Sequence, residues 1–273
     1  MMTEIPAVRG FIRMCTDGWE QGWHERNGGN LTYRMKPEEV EQCRPFFTAP
    51  REWNSMGVQA DNLKGEYFIT TGSGKFLRNV QDDPEHNIGI VEINDAGDSW
   101  RIVWGLENGA RPTSEFPSHF MNHSVRKAAT NGAYRVIYHA HTPNLIAMTY
   151  IMPLTARDFT RALWQSATES PAEFPGGVGV GPGKVPGGAD IAMATSELMK
   201  KYDAAVWAHH GLFVSGPDYD ITFGLMHTIE KAAQIYMLAI TAGGGKIRQT
   251  ITDDNLRAIA KEFGVELNEE FLN

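Results

Sequence analysis

His139-Ala140-His141 and His210 are the residues whose types and spacing best suit metal chemistry. The first two follow Arg135-Val136-Ile137-Tyr138, a run that reads as a strand over 134–140. Side chains two apart on a strand share a face, so the imidazoles of His139 and His141 project together from Cα atoms roughly 6–7 Å apart. Two rings so placed can converge on one ion, each nitrogen about 2.0–2.1 Å from it. Taken alone, the pair also fits an edge-strand surface pair, or one cored and one exposed histidine. His210 closes a second expected strand, 204–210, with Gly211 directly after it. Three histidines from two strand ends satisfy a catalytic zinc, which takes three protein ligands and keeps one position open. His210 also reads as an ordinary strand-end histidine, and with nine histidines in the chain chance groupings are easy. His119 and His123, four apart on an expected helix, imitate a ligand pair. They lack the glutamate that an HExxH motif carries second, and they rank below His139 and His141.

Two further stretches carry chemistry. Asn27-Gly28-Gly29-Asn30 lies between a helix pattern and a strand pattern. It reads either as a plain turn or as a nest of backbone N–H groups able to hold an anion. Thr71-Gly72-Ser73-Gly74-Lys75 follows a strand and resembles half of a nucleotide phosphate loop. The spacing GxxxxGK[ST] is absent and Phe76 stands where Ser or Thr is required, which excludes an ATP or GTP site of that kind. A simpler phosphate contact from the Ser73 hydroxyl and nearby amides remains open. Glu115 sits at the start of an expected helix capped by Thr113-Ser114, where the helix dipole favours a carboxylate.

The elements that must position these groups follow from periodicity. Val8, Phe11, Ile12, Cys15, Trp19 and Trp23 recur every three to four residues and predict a first helix over 7–25. A strand is expected at 31–35. Residues 36–62, with Pro37, Pro45 and Pro50, read as a surface excursion with a short helix at 37–43. Strands follow at 67–70, 88–93 and 100–104, the last two as a hairpin around the turn at 94–98. Helices are expected at 113–130, 144–150, 155–168, 190–201, 218–242 and 252–263. The glycine-rich 175–188 reads as short strand pieces and turns within the domain, because so many glycines cannot hold a helix. A short segment at 212–214 follows the last strand. Antiparallel strands mixed with connecting helices predict one layered α/β domain over 1–273.

Composition narrows the class. The net charge of −8 and a pI of about 5.6 argue against nucleic acid or an anionic membrane surface as partner. The two cysteines, Cys15 and Cys43, have no metal-ligand spacing and suit a reducing compartment better than a disulfide scaffold. No apolar run approaches 18 residues and no signal pattern opens the chain, so a cytoplasmic protein is expected.

Motifs spread over nearly the whole chain make the sequence resemble the class II aldolase/adducin family. They are 22–32 (Gly-Trp-His-Glu-Arg-Asn-Gly-Gly-Asn-Leu-Thr), 69–76, Pro112 to Pro117, the histidine pair, Leu163-Trp164 with Ala167-Thr168-Glu169, and His210-Gly211 with Phe213-Val214-Ser215-Gly216. The order of these motifs is specific; the histidine pair alone is not. The resemblance is strongest to the branch acting on L-rhamnulose 1-phosphate. It implies a three-layer αβα fold with a central, mainly antiparallel sheet. It implies His139, His141 and His210 as ligands of one Zn²⁺ per subunit, and Glu115 as the catalytic glutamate that handles the substrate proton. Glu169 resembles a second active-site glutamate. Asn27, Gly28, Gly29, Asn30, Ser73, Thr113 and Ser114 match the positions around the substrate phosphate.

The implied reaction is reversible retro-aldol cleavage of a phosphorylated ketose to dihydroxyacetone phosphate and L-lactaldehyde, in a cytoplasmic homotetramer. Another ketose 1-phosphate such as L-fuculose 1-phosphate, a pentulose-phosphate epimerisation, and a non-catalytic module like the adducin head are the rivals. Lys75 is a tempting Schiff-base lysine, but this chemistry needs none and charge balance or structure suits it better. His209 stands where an apolar aromatic is usual.

Overall fold

The structure, a computed structural model, describes residues 1–181 and 189–273. The later part of the glycine-rich stretch, with Pro186-Gly187-Gly188, lies outside the described residues. Nine strands are described: β1 Asn30–Arg34, β2 Asn54–Ser55, β3 Tyr67–Thr71, β4 Ile88–Ile93, β5 Ser99–Gly105, β6 Val136–Ala140, β7 Gly179–Gly181, β8 Ala204–Trp207 and β9 Gly211–Gly216. They form one sheet in the order β2-β5-β4-β3-β1-β6-β9-β8-β7. Every pairing is antiparallel except β7 with β8. The α-helices are α1 Pro6–Glu20, α2 Pro37–Cys43, α3 Pro84–Asn87, α4 Phe116–Ala129, α5 Pro143–Met148, α6 Ala156–Trp164, α7 Ser170–Glu173, α8 Ala189–Met199, α9 Tyr219–Ala242 and α10 Asp253–Phe263.

Alternation along the two central strands separates the layers. From β1, Leu31 and Tyr33 enter the larger core with Phe11 and Cys15 of α1 and Met226 and Ile229 of α9. From β6, Val136, Tyr138 and Ala140 join the same core. Asn30 and Thr32 face the other way, toward α4. Ile137 faces that side too, packed with Ile191 and Met199 of α8. The sheet is thus sandwiched between helices, the three-layer αβα arrangement expected. Asn30 pairs with His139 in register. A polar strand end on β1 therefore sits beside the first histidine at the middle of the sheet.

Several boundaries move. The first helix stops at Glu20, where Gly22 turns at φ +77°, so Trp23 is buried from the loop and Trp19 lies largely exposed. The 36–62 excursion carries the expected helix α2, and its later part adds β2 as an edge strand on β5. The expected strand 204–210 ends at Trp207. Residues 208–210 form a turn, with His209 at φ +63° reversing the chain. The expected minor segment 212–214 is instead the middle of β9, fully buried and paired with both β6 and β8. Gly211 is required there, because a Cβ would come within 2.3 Å of the Ala140 carbonyl. Capping follows the sequence more closely: Thr155, Asp218 and Thr252 each accept from a backbone N–H in the first turn of α6, α9 and α10.

Candidate metal centre and active site

The end of β6 and the β8–β9 turn bring the three histidines together. One nitrogen from each of His139, His141 and His210 lies within 4.8 Å of the others. Ring centroids are 4.7 to 5.2 Å apart. His139 leaves β6 on the α4 face, and His141 lies just beyond the strand end. His210 comes from a turn rather than from a strand. The expected strand face for it, opposite His209, does not exist, and the tight reversal delivers it instead.

Hydrogen bonds fix which nitrogen is available on His139 and His141, whereas His210 Nδ1 is buried without a partner among the described residues. His139 Nδ1 is 3.1 Å from the Leu212 carbonyl, which can only accept, so Nδ1 carries the proton and Nε2 presents a lone pair. His141 Nδ1 donates to the Glu25 carboxylate at 2.6 Å, freeing its Nε2 in the same way. His139 Nε2 and His210 Nε2 stand 3.3 Å apart. That is about the 3.3 Å edge expected of two nitrogens bound tetrahedrally at the usual zinc–nitrogen distance. Burial, followed by the neighbouring histidines, holds His139 well below the usual imidazole range. Burial, then His141, brings His210 down to about 4. Imidazoles that converge on one point are the donor set that a divalent cation of this class takes. The residues present fit the metal, and the indole of Trp207, 4.6 Å from the His139 ring, walls one side.

Glu25 is mostly exposed; among the described residues its carboxylate reaches the metal ligands through His141, and its carbonyl accepts from the Gly28 N–H at 2.8 Å. Partners of this kind typically contribute about 10–100-fold in metal affinity. Glu25→Ala is therefore expected to weaken metal binding about tenfold, with turnover recovered at saturating metal. Competition against a chromophoric chelator measures it; unchanged affinity would show that Glu25 does not orient His141.

The helix expected from Thr113-Ser114 starts at Phe116; Glu115 directly precedes it, makes no side-chain capping bond and is buried. Its Oε2 accepts from Asn30 Nδ2 at 2.9 Å, and its backbone N–H donates to the Thr113 hydroxyl at 3.3 Å. Burial raises its carboxyl above the ordinary value, against the pull of the Asn30 amide and the nearby His141. The candidate phosphate residues surround this corner. An isolated bridge between Gly72 and Pro112 and the Ser73 N–H bond to Arg111 (2.9 Å) tie the 71–75 turn to the start of α4. This brings the exposed Ser73 and Ser114 and the buried Thr113 to one edge. Asn27 is exposed at the rim, while the Asn30 amide is engaged with Glu115 and with His119 Nε2.

The glycines lie against the histidines. A Cβ on Gly28 would come within 2.8 Å of the His141 ring. Gly29 has φ +71°, and its Cβ would meet His24 Nδ1 at 2.4 Å and the His139 carbonyl at 2.7 Å. His24 pins this loop. Its Nδ1 donates to the Gly28 carbonyl at 3.0 Å, so Nε2 accepts from the Tyr138 hydroxyl at 2.6 Å. Burial brings His24 down to about 4, which keeps it neutral for that role. Gly29→Ala should cost at least about 1–2 kcal/mol from the left-handed backbone alone. It should also raise KM for a phosphorylated substrate by displacing the loop. Denaturant melts and steady-state kinetics test this, and wild-type values for both would refute the close approach.

Glu169 stands apart. It precedes α7 and is exposed, and among the described residues its carboxylate is bonded only to the hydroxyl of its neighbour Thr168, at 3.0 Å. Among the described residues no hydrogen bond or ion pair links it to the histidines or to Glu115. Conversely, Glu25, His24, Tyr138, Trp207 and the His119–Thr32–His123 cluster were not assigned to a site from the sequence. For His119 and His123 a signal existed: with Glu115 they recur every four residues, which places all three on one helical face.

The family profile described as Class II Aldolase and Adducin N-terminal domain matches residues 9–237. The chain is 45% identical over 268 residues to a rhamnulose-1-phosphate aldolase of Klebsiella pneumoniae, covering 97% of this chain and 96% of that protein. It is also 45% identical over 264 residues to the rhamnulose-1-phosphate aldolase of Escherichia coli K12, with the same coverage. Among solved structures, a sugar-phosphate aldolase from Thermotoga maritima superposes with a TM-score of 0.73 at 26% identity, over 87% of this chain and 96% of the other. The L-fuculose 1-phosphate aldolase from Glaciozyma antarctica PI12 shares the fold at 18% identity and a TM-score of 0.59, over 94% and 83%.

Proposed function

The chain belongs to the class II aldolase and adducin family, whose aldolases are metal-dependent, and on that footing we propose that it catalyses the reversible cleavage of L-rhamnulose 1-phosphate to dihydroxyacetone phosphate and L-lactaldehyde. The observation that carries this reading is the near full-length likeness to rhamnulose-1-phosphate aldolases. The three-histidine centre beside Glu115 supports it chemically. The metal is proposed as zinc, one per chain, held by His139, His141 and His210.

A base takes the C4 hydroxyl proton, that oxygen forms the aldehyde carbonyl of L-lactaldehyde as the C3–C4 bond breaks, and the bond's electron pair stays on the three-carbon fragment. The metal, when bound, supplies positive charge that stabilises the negative charge developing at the ketone end. Glu115 delivers a proton to C3 of that fragment, and in the synthetic direction removes it. Asn30 donates to Glu115 Oε2 and so sets the carboxyl's direction. The backbone of Gly28 and Gly29, with Asn27, Asn30, Ser73, Thr113 and Ser114, is assigned to the phosphate, whose remote binding energy positions the reacting carbons. Glu169 is assigned as a second active-site glutamate, and its surface position makes that role one for the assembled oligomer. The protein is proposed to work as a single-domain homotetramer in the cytoplasm; no helix among the described residues is long and apolar enough to cross a membrane.

A coupled assay for dihydroxyacetone phosphate tests the reading with L-rhamnulose 1-phosphate and L-fuculose 1-phosphate, and an assay for the C4-epimeric pentulose phosphate tests L-ribulose 5-phosphate, each with and without chelator. The first should be preferred by kcat/KM and should lose turnover on chelation. Preference for another substrate, or no dihydroxyacetone phosphate from either ketose 1-phosphate, would overturn it.

A further inference from the structure

Beneath Glu115 lies a closed chain of buried polar groups that the reaction just described does not use. Glu115 Oε2 is 2.9 Å from Asn30 Nδ2, and Asn30 Oδ1 is 2.5 Å from His119 Nε2. His119 Nδ1 is 2.8 Å from Thr32 Oγ1, and Thr32 Oγ1 is 2.8 Å from His123 Nε2. All of these groups are buried, and His119, His123 and Thr32 almost completely. Asn30 and Thr32 are alternate residues on β1, and Glu115, His119 and His123 lie one turn apart along α4. A strand and a helix therefore face each other with matching polar ladders.

The direction of every bond in this chain follows from its end. A carboxylate only accepts, so Asn30 turns its NH₂ toward Glu115 and its carbonyl oxygen toward His119. That oxygen needs a donor, so His119 carries its proton on Nε2. Burial brings His119 down to about 3 and keeps it neutral, so its Nδ1 is an acceptor. The Thr32 hydroxyl must then donate to His119, and its oxygen is left to accept from Nε2–H of His123. From His123 through Thr32, His119 and Asn30, each donor points toward Glu115. A water-excluded chain aligned in one sense strengthens its terminal bond.

We infer that His119 is a positioning residue for Glu115: its Nε2–H locks the Asn30 amide so that Nδ2 faces the carboxylate, with Thr32 and His123 fixing the His119 tautomer. This rests on the reading of Glu115 as the proton carrier. Without His119 the buried Asn30 carbonyl oxygen loses its donor, and the amide swings off the carboxylate to find another. Glu115 then loses its donor and its direction while the metal ligands and the glycine loop stay in place. Phe213, packed edge-to-face with His119 at 5.3 Å, leaves an aromatic replacement well accommodated.

The test compares His119→Phe, which removes both nitrogens, with His119→Gln, whose side-chain amide can still donate to Asn30. In the zinc-loaded protein with L-rhamnulose 1-phosphate, H119F should lower kcat about 30- to 100-fold, the scale of a displaced catalytic group, with KM within about threefold and metal content unchanged. H119Q should recover most of that loss. A rise in KM at constant kcat overturns the inference, because His119 then serves substrate binding and not Glu115; so does wild-type kcat in a folded, metal-loaded H119F. A second measurement does not depend on a variant folding. Nitrogen-15 spectra of histidine-labelled, zinc-loaded protein should show both His119 and His123 neutral and protonated on Nε2 across neutral pH, and a proton on Nδ1 of either overturns the chain. Glu115→Gln separates the two layers of reasoning. Near wild-type turnover there removes the role of Glu115 itself, whereas an inactive E115Q beside an unaffected H119F removes only the role of His119.

Discussion

Glu115→Gln is expected to lower turnover of L-rhamnulose 1-phosphate by about 10²- to 10⁴-fold, the range for losing a general acid–base group, while fold and metal content stay as in the wild type. Glutamine has the same shape and still offers an oxygen to Asn30 Nδ2, so the 2.9 Å contact survives. What disappears is the capacity to take and return a proton. The pH profile supplies a second reading of the same variant. Burial raises the Glu115 carboxyl above its ordinary 4.5, with Asn30 and His141 opposing. In the synthetic direction the carboxylate is the active form. It is lost as pH falls through that raised value, so the wild-type synthetic rate should decline on the acid side. The residual rate of E115Q should lack that limb. A variant that retains near wild-type turnover, or an identical acid limb in E115Q, would place the base elsewhere.

His139→Ala is the second large effect expected. His139 is almost fully buried between Trp207 and the other two histidines, and two ligands remain after its removal. Metal should fall well below one equivalent and turnover should reach background. Chelation of the wild-type protein should reproduce the loss and reveal what the metal does for stability. A ligand at about 100 times its Kd stabilises the folded form by about 2.7 kcal/mol, which for a chain of this size corresponds to a Tm shift of about 5–10 °C. Chelated protein should melt lower by that amount, at fixed protein concentration, and added zinc should restore both Tm and turnover. Equal melting with and without chelator, together with undiminished turnover, would refute the centre.

Much of this site was legible from residue types and local spacing. His139 and His141 converge because a strand repeats every two residues, and that rule needs no tertiary information. Glu115 and the glycines of 27–30 were singled out by resemblance, since a helix-start acid and a glycine turn are each ordinary on local signals alone. His210 was found for its type but with the wrong support: a run of Ala, Val and Trp reads as one strand, and nothing local marks the reversal at His209. That reversal is enforced by β9, whose pairing with β6 and β8 needs residues far apart in the chain. Glu169 was singled out by resemblance, and the fold of one chain leaves it on the surface.

The histidines at 119 and 123 show the boundary most clearly. Their spacing on a helix was visible, and it imitated a ligand pair that ranked low for want of an HExxH glutamate. The register of β1 against α4 decided their role, by placing the Thr32 hydroxyl between them and Asn30 above. By itself, then, the sequence determined the kinds of chemistry present: three imidazoles for a metal, a carboxyl at a helix start, and glycines where a side chain would collide. It also determined most elements, because helix and strand periods are local properties. Only the tertiary structure decided which groups face one another, which nitrogens carry protons and which side chains are spent holding others. Those depend on long-range strand register and on burial, and a buried polar group must take whatever partner the packing supplies.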